Sequence, residues 1–250
     1  MKISSPLVIF NGYYLATQIR VSSIPSLEMF SRAVSADVLA GFSDLEKRAE
    51  EVTDTEYKRL VSTCSWDDST SELELWEIAR EKGISFFLMM SDFRQATVNL
   101  LAVGLFHLFE QQLHHIATDG LFSGLPRLED TSLTGVKDWY RKHLEIDFQS
   151  YPCWDVIASE LRILANAIKH GDGSSATKLR QRKPEFFRSP YTSDDGILRM
   201  AKNFAPGKIV MPLSGEDIYV PDELLRRYGE SVLEFLEAWA SDLDRCAAKA

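Results

Sequence analysis

The stretch Ile84–Thr118 constrains the fold more than any other part of the chain, because apolar residues recur along it every three or four positions. The recurring residues are Leu88, Phe93, Ala96, Leu100, Val103, Phe106, Leu113 and Ile116. Polar residues such as Asp92 and Asn99 interrupt the run, so it is too polar to span a membrane. We therefore predict that this stretch is the central helix of a bundle.

Most of the remaining chain also has helical periodicity, and Gly83 is expected to separate the central helix from the one before it. The other predicted helices are Leu27–Leu60, Ser71–Lys82, Thr131–Glu145, Trp154–His170, a short basic helix at residues 174–183 and a closing helix from Asp222 to Lys249. No repeat or long linker divides the chain, which indicates one mainly α-helical domain over residues 1–250. Its predicted parts are an N-terminal segment (1–27), a bundle core (28–173) and a C-terminal region (174–250).

Two short segments have patterns that favour β-structure. Asn11-Gly12 is a dipeptide typical of tight hairpins, so residues 1–27 are expected to form a hairpin or an irregular arm on the core. In Lys208–Val220, apolar residues alternate on both sides of Ser214–Asp217, which predicts a small C-terminal β-hairpin.

The composition excludes several classes of protein. A formal net charge of −9 opposes general attraction to nucleic acid or to an anionic membrane, although a local basic site remains compatible with it. The three cysteines are far apart and lack zinc-site spacing, and no phosphate-loop, dinucleotide or nucleophile-elbow motif occurs. We expect a cytoplasmic protein with reduced thiols, no cofactor and no bound metal.

The predicted helix Trp154–His170 carries polar residues on an otherwise apolar segment. Arg162, Asn166 and His170 are four positions apart, so each is displaced by about 40° around the helix from the last. An arginine can hold a phosphate, and a histidine can transfer a proton near neutral pH. With Lys169, these residues are candidates for a catalytic site. The alternative is that Asn166, Lys169 and His170 only hydrogen-bond the last carbonyls of the helix.

The eleven residues from Glu160 to His170 (ELRILANAIKH) resemble the signature of the HEPN superfamily, ELRxxRNxxxH. HEPN domains are helical bundles of bacterial toxin–antitoxin, abortive-infection and CRISPR-linked proteins. The resemblance implies a HEPN-like bundle, a homodimer whose site lies between protomers, and metal-independent RNA cleavage by the histidine. The signature arginine is replaced here by Ala165, so Arg162 or Lys169 would have to supply the missing charge.

A second group of polar residues lies near the end of the central helix. His107, Glu110 and His114 share one helical face, a spacing that could hold a metal. The competing interpretation is a supporting role, in which Glu110 pairs with Arg162 or orients His114. The missing HEXXH pattern favours the supporting role, so Glu110 and His114 are predicted to assist the signature helix.

A third group follows the signature helix after a short glycine loop. Lys178, Arg180, Arg182 and Lys183 form a local basic cluster in an acidic chain, which would attract the phosphates of RNA or a nucleotide. Charge runs are more often a solvated helix face, and this alternative stays open.

The sequence as a whole favours a HEPN-like binding or scaffold module that has lost catalysis, because Ala165 stands where the family has its arginine. Its partner would be a protein, RNA or a nucleotide, and no membrane is expected. The alternative is a metal-independent, toxin-like endoribonuclease in which His170 acts on the 2′-hydroxyl or the leaving oxygen.

Overall fold

Helices account for most of the chain that the computed structural model describes, which comprises residues 6–63, 71–122, 124–189, 208–213 and 217–248. The α-helices in these ranges are α1 (Pro6–Gln18), α2 (Ile24–Ala33), α3 (Leu45–Thr63), α4 (Glu72–Ala117), α5 (Leu133–Leu144), α6 (Arg162–His170), α7 (Ser174–Arg182) and α8 (Asp222–Ala247). No strand occurs in these ranges. The prediction of a mainly α protein with a long central helix and a closing C-terminal helix is confirmed.

Helix α4 is a single helix of 46 residues and does not break at Gly83. It begins with a capping box, in which the Ser71 hydroxyl accepts the Glu74 amide and the Glu74 carboxylate accepts the Ser71 amide. Gly83 is buried against α3, where a Cβ would lie 2.0 Å from the Thr53 hydroxyl and 2.8 Å from the Ala49 carbonyl. The predicted break is therefore wrong, because this glycine permits a close helix crossing.

The N-terminal segment is helical, so the prediction of a hairpin or irregular arm is wrong for residues 6–27. Gly12 lies inside α1, and a Cβ there would be 2.7 Å from the Leu243 carbonyl of α8. The glycine of Asn11-Gly12 therefore serves helix packing rather than a turn. A π-helical turn, Ile19–Ser23, joins α1 to α2 just before Pro25, which has no N–H to donate to the preceding turn.

The predicted helix Leu27–Leu60 is interrupted in its middle. After α2 the chain continues as a π-helical turn (Val34–Val38) and a 3₁₀ turn (Leu39–Phe42). Ser43 is then extended, and Asp44 has a positive φ of 54°. Aspartate adopts this left-handed conformation more readily than most residues, so the chain can turn here before α3 begins.

The later helices follow their predictions closely. Helix α5 is capped by Ser132, whose hydroxyl accepts the Gly135 amide, and α7 ends two residues before Pro184. The segment predicted as Trp154–His170 is helical throughout, but Val156–Leu161 forms a π-helical turn before α6. The apolar pattern predicts a helix over this segment, but it does not predict that part of the helix is π-helical.

The predicted C-terminal hairpin does not form in the described residues of its segment, and most of its proposed turn, residues 214–216, lies outside them. The Asp217 carboxylate accepts the amides of Val210 and Met211, and the Tyr219 amide donates to the Phe186 carbonyl. These backbone donors therefore bond outside any strand ladder.

Two buried amides of α4 explain why the central helix contains polar residues. Asn99 donates to the Ile218 carbonyl at 2.9 Å, and Gln95 donates to the Val220 carbonyl and to the Asn99 side chain at 3.2 Å. Both amides are buried in the core, where a polar group needs a partner. They fix the extended segment that leads into α8.

An aromatic cluster around Phe148 joins α4, α5 and α8. The Phe148 ring contacts Tyr140, Trp154, Phe235 and Trp239 at centroid distances of 4.8–5.4 Å. The Tyr140 hydroxyl donates to the Leu113 carbonyl of α4, and burial raises the pKa of this tyrosine well above its ordinary value. The cluster holds the C-terminal half of α4 at the centre of the bundle.

Helix α3 packs mainly on the N-terminal half of α4, and we call α3 with residues 72–93 the arm. The buried arm residues Leu45, Leu75 and Ala79 lie outside the main hydrophobic core cluster. The Glu56 carboxylate of α3 accepts hydrogen bonds from Lys82 of α4 and from Arg59 of α3, each at 2.7 Å, and the Lys82 contact joins the two helices. These two cations lower the pKa of Glu56 to about 2. No described helix is apolar enough over a sufficient length to cross a membrane.

We predict opposite effects of alanine at two glycines of α4. Gly83→Ala should destabilise the protein by about 1–3 kcal/mol, because its methyl group would overlap α3. Gly104→Ala should stabilise it by up to about 1 kcal/mol, because its nearest neighbour, the Phe30 ring, is 3.6 Å from the new Cβ. Urea unfolding followed by circular dichroism measures both. Equal changes in the two variants would contradict the close crossing at Gly83.

Candidate functional site

Helix α6 turns one side to the core and a polar side towards α4 and α5. Its buried residues are Leu164, Ala165, Ala167 and Ile168. Ala165 is only 1% exposed, so the position that carries the arginine of the resembled signature lies in the core. On the other side, Arg162 and Asn166 are half-buried and Lys169 is exposed.

The Glu110 carboxylate of α4 lies in the electrostatic field of Arg162 and Lys169. It also accepts the Leu133 amide at the start of α5. Burial raises the pKa of Glu110, while His107, Lys169, Arg162 and the Leu133 amide oppose that rise. Glu110 therefore lies near enough to Arg162 and Lys169 to feel their charge, and its supporting role stays a prediction. When ionised, the Glu110 carboxylate offsets part of the positive charge of Arg162 and Lys169.

Arg162 also contacts α5. Its guanidinium donates to the Thr134 hydroxyl at 3.4 Å, a long hydrogen bond at the beginning of that helix. Arg162 and Lys169 are seven residues apart, about 10 Å along the helix axis, and differ by about 20° around it. The two cations therefore lie along one edge of α6, with Glu110 of α4 opposite them.

His170 follows Lys169 at the end of α6. It is the last residue of α6, is exposed, and is displaced by about 80° around the helix from Arg162. No hydrogen bond of its side chain is found within the described part of the chain. Arg162 and His170 are about 12 Å apart along the helix axis, and no contact between their side chains is found among the described residues.

Backbone groups satisfy the last carbonyls of α6. The Leu213 amide donates to the Ile168 carbonyl at 2.9 Å, and the Gly171 amide donates to the Ala167 carbonyl at 3.0 Å. Gly171 has a positive φ of 70°, a conformation that favours glycine, and its Cα faces Pro212. The alternative in which the side chains of Asn166, Lys169 and His170 cap the helix is not needed for these two carbonyls.

Glu160, the first residue of the signature, points to a different neighbour. It lies beside the Tyr228 hydroxyl of α8 and, together with burial, raises the pKa of that tyrosine. Burial is the larger cause. Tyr228 is almost fully buried, so this signature residue contacts the α8 side of the bundle instead of the Arg162 group.

The metal interpretation of His107, Glu110 and His114 gains no support. Within the described ranges, no group of three or more histidine, cysteine, aspartate or glutamate residues is arranged to hold a metal ion. His107 instead hydrogen-bonds Gln111, with 3.1 Å between their nitrogens. His114 is half-buried near the end of α4.

The basic cluster is divided by the geometry of α7. Arg180 forms an ion pair with Asp172, and its guanidinium lies 5.1 Å from the centroid of the Phe187 ring. Lys178 and Arg182 share an exposed face about 40° apart, and Arg182 donates to the Ser159 carbonyl at 3.4 Å. Lys183 is half-buried. The four cations therefore do not form one continuous surface stripe.

Comparisons with protein-family models, with curated proteins and with solved structures give no match to this chain. The class that fold and site together define is a mainly helical protein with a charged contact between α4 and α6. The resemblance to HEPN domains rests on residues 160–170 and on the helical pattern around them.

We predict that restoring the signature arginine harms the fold. Ala165→Arg should cost about 3–5 kcal/mol or prevent folding, because it places an unpaired charge in the core. Asp155→Arg, at an exposed position of the same helical segment, should change stability by less than about 1 kcal/mol. Thermal unfolding compares the two variants, and an Ala165→Arg protein as stable as the parent would contradict the buried position.

Proposed function

We propose that this protein is a HEPN-like helical binding module without catalytic activity, of the kind found in bacterial defence and toxin–antitoxin systems, and that it binds a partner protein. The observation that carries the proposal is the arrangement of α6. Ala165 is buried where the signature has an arginine, and the two cations that could replace that arginine, Arg162 and Lys169, lie in the electrostatic field of Glu110.

The charge distribution favours a protein over RNA or a nucleotide. The chain carries a net charge of −9, and Arg180, at the centre of the basic cluster, is already paired with Asp172. A surface that binds phosphates by charge needs several free cations in one region. Lys178 and Arg182 alone offer few contacts of this kind.

The arm supplies an apolar surface for a protein partner. Leu73, Trp76 and Ile84 of α4 are 64%, 44% and 47% exposed and lie within about 80° of one another around the helix. Arg80 lies on the same face, 5.5 Å from the centroid of the Trp76 ring. Contiguous exposed apolar residues with an aromatic and an arginine among them are typical of protein interfaces.

The proposal is tested by charge substitutions on the arm. Trp76→Glu combined with Ile84→Glu should weaken binding of a protein partner at least about tenfold, because two carboxylates would be desolvated in the interface. The control, Val21→Glu with Met29→Glu, changes apolar residues of the first π-helical turn and α2 that are 72% and 69% exposed, and it should bind normally. Co-purification from the source cells with quantitative mass spectrometry measures a foreign partner, and sedimentation measures self-association.

Partner recovery and self-association that are unchanged in the arm variant would contradict the proposed binding surface. Circular dichroism of both double variants confirms that the substitutions leave the helices intact. The substituted side chains are all exposed, so the fold should tolerate them.

A metal-independent ribonuclease is the second candidate, and the exposure of His170 favours it. His170 is the last residue of α6, and an exposed histidine could meet an arginine of another protomer. If the binding module is correct, purified protein should leave mixed RNA intact with and without EDTA. Chelator-resistant cleavage that is lost in His170→Ala and kept in His115→Ala, a control at another exposed histidine, would establish the ribonuclease instead.

A further inference from the structure

An apolar pattern runs along one side of α4, from the end of the arm into the middle of the helix. Its residues follow one another at alternating intervals of three and four positions, which is the spacing of a coiled-coil seam. None of them is Asp, Glu, Lys or Arg, although 26% of the chain is charged. We call these residues the seam: Phe86, Met89, Phe93, Ala96, Leu100, Val103 and His107.

The three largest side chains in the middle of the seam are open to solvent. Met89, Phe93 and Leu100 are 63%, 60% and 48% exposed, and they lie within about 40° of one another around the helix. The ring of Phe42 meets the Phe93 ring edge to face at 5.5 Å and extends the apolar surface to one side. An exposed apolar stripe of this spacing fits another helix.

The charge of the chain favours a second copy as that other helix. Two copies with a net charge of −9 each repel one another, so self-association requires a contact surface without carboxylates. The seam is such a surface. It also offers a foreign chain no charge by which that chain could be selected.

The order of large and small side chains makes the seam complementary to itself. A two-fold axis level with Val98 places Ala96 of one copy opposite Leu100 of the other. The same axis places Phe93 opposite Val103. Each pair then joins a larger and a smaller side chain, as good packing requires, and each pair occurs twice. A parallel arrangement would set Ala96 against itself and leave a gap.

We infer that α4 packs antiparallel on α4 of a second copy of this chain through the seam. The two arms then extend in opposite directions from the axis. Trp76 is 22 residues from Val98, which separates the two Trp76 side chains by roughly 65 Å along the helices. If the arm binds a partner protein as proposed above, the dimer carries two such surfaces; only this last step rests on the proposed function.

The size of the seam sets the expected affinity. Met89, Phe93 and Leu100 leave roughly 300 Å² of surface exposed in each copy, and therefore roughly 600 Å² in a pair. Stable interfaces bury at least about 1,200 Å² in total. The remaining seam residues and Phe42 bring the contact towards that lower limit, so we expect a dissociation constant in the micromolar range.

Sedimentation velocity of the full chain from roughly 1 to 200 μM tests the dimer. The protein should change from monomer to dimer over this range. Salt raised from about 50 to 500 mM should tighten the dimer, because it screens the repulsion between two acidic copies. A protein that is still monomeric at the highest concentration, or a dimer that salt weakens, would overturn the inference.

Variants locate the contact. Met89→Glu combined with Leu100→Glu should weaken the dimer at least about tenfold, and Leu100→Ala, which adds no charge, about fivefold. Val21→Glu with Met29→Glu adds the same charge elsewhere and should leave the dimer unchanged. Full dimerisation of Leu100→Ala, or of a folded seam double variant, would sink the assignment. The arm double variant should keep the dimer, so loss of partner binding and loss of the dimer are separate results.

A photo-cross-linker defines the direction of the two helices. With p-benzoylphenylalanine at position 89, the antiparallel arrangement places the probe opposite His107 of the other copy. Irradiation of the dimer followed by mass spectrometry should therefore link position 89 to residues around His107. A link to residues around position 89 of the other copy would show a parallel pair and contradict the proposed arrangement.

Discussion

The uninterrupted course of α4 is the constraint on which the rest of the structure depends. Its C-terminal half carries Phe109 into the aromatic core and Glu110 to the edge of α6. Its middle carries Gln95 and Asn99, which fix the segment before α8. Its N-terminal half extends beyond the core cluster as the arm. Gly83 lies inside the arm, where its missing side chain lets α4 cross α3 closely without a break.

The fold was predictable where periodicity alone decides it. The apolar stripes of α5, α8 and the C-terminal half of α4 are properties of the local sequence, and their helices follow from it. Gly12 and Gly83 were misread because glycine serves two opposite purposes: it permits turns, and it permits close contact between helices. The two purposes can be told apart only from the residue that the glycine packs against. Those residues, Leu243 for Gly12 and Thr53 for Gly83, are remote in sequence.

The candidate site was predictable only where its residues lie on one helix, because spacing along a helix is a local property. The spacing of Arg162, Asn166 and His170 predicted a shared helical face, and Glu110 was a candidate partner of Arg162 because its helix was expected to neighbour theirs. The contacts with Thr134 and the Leu133 amide come from the packing of α5, which no spacing rule reveals. The burial of Ala165 also comes from tertiary packing, which the local sequence does not reveal. It means that the helix of the signature forms here although the signature arginine is absent.

Buried polar groups divide into two kinds in this molecule, and the difference has a physical consequence. The amides of Gln95 and Asn99 are satisfied by backbone carbonyls, so they determine structure and leave nothing for a ligand. Asp222 has only Arg94. Its second oxygen is buried without a partner in the described part of the chain, so the Asp222–Arg94 pair joins α8 to α4 at a cost that the two amides avoid.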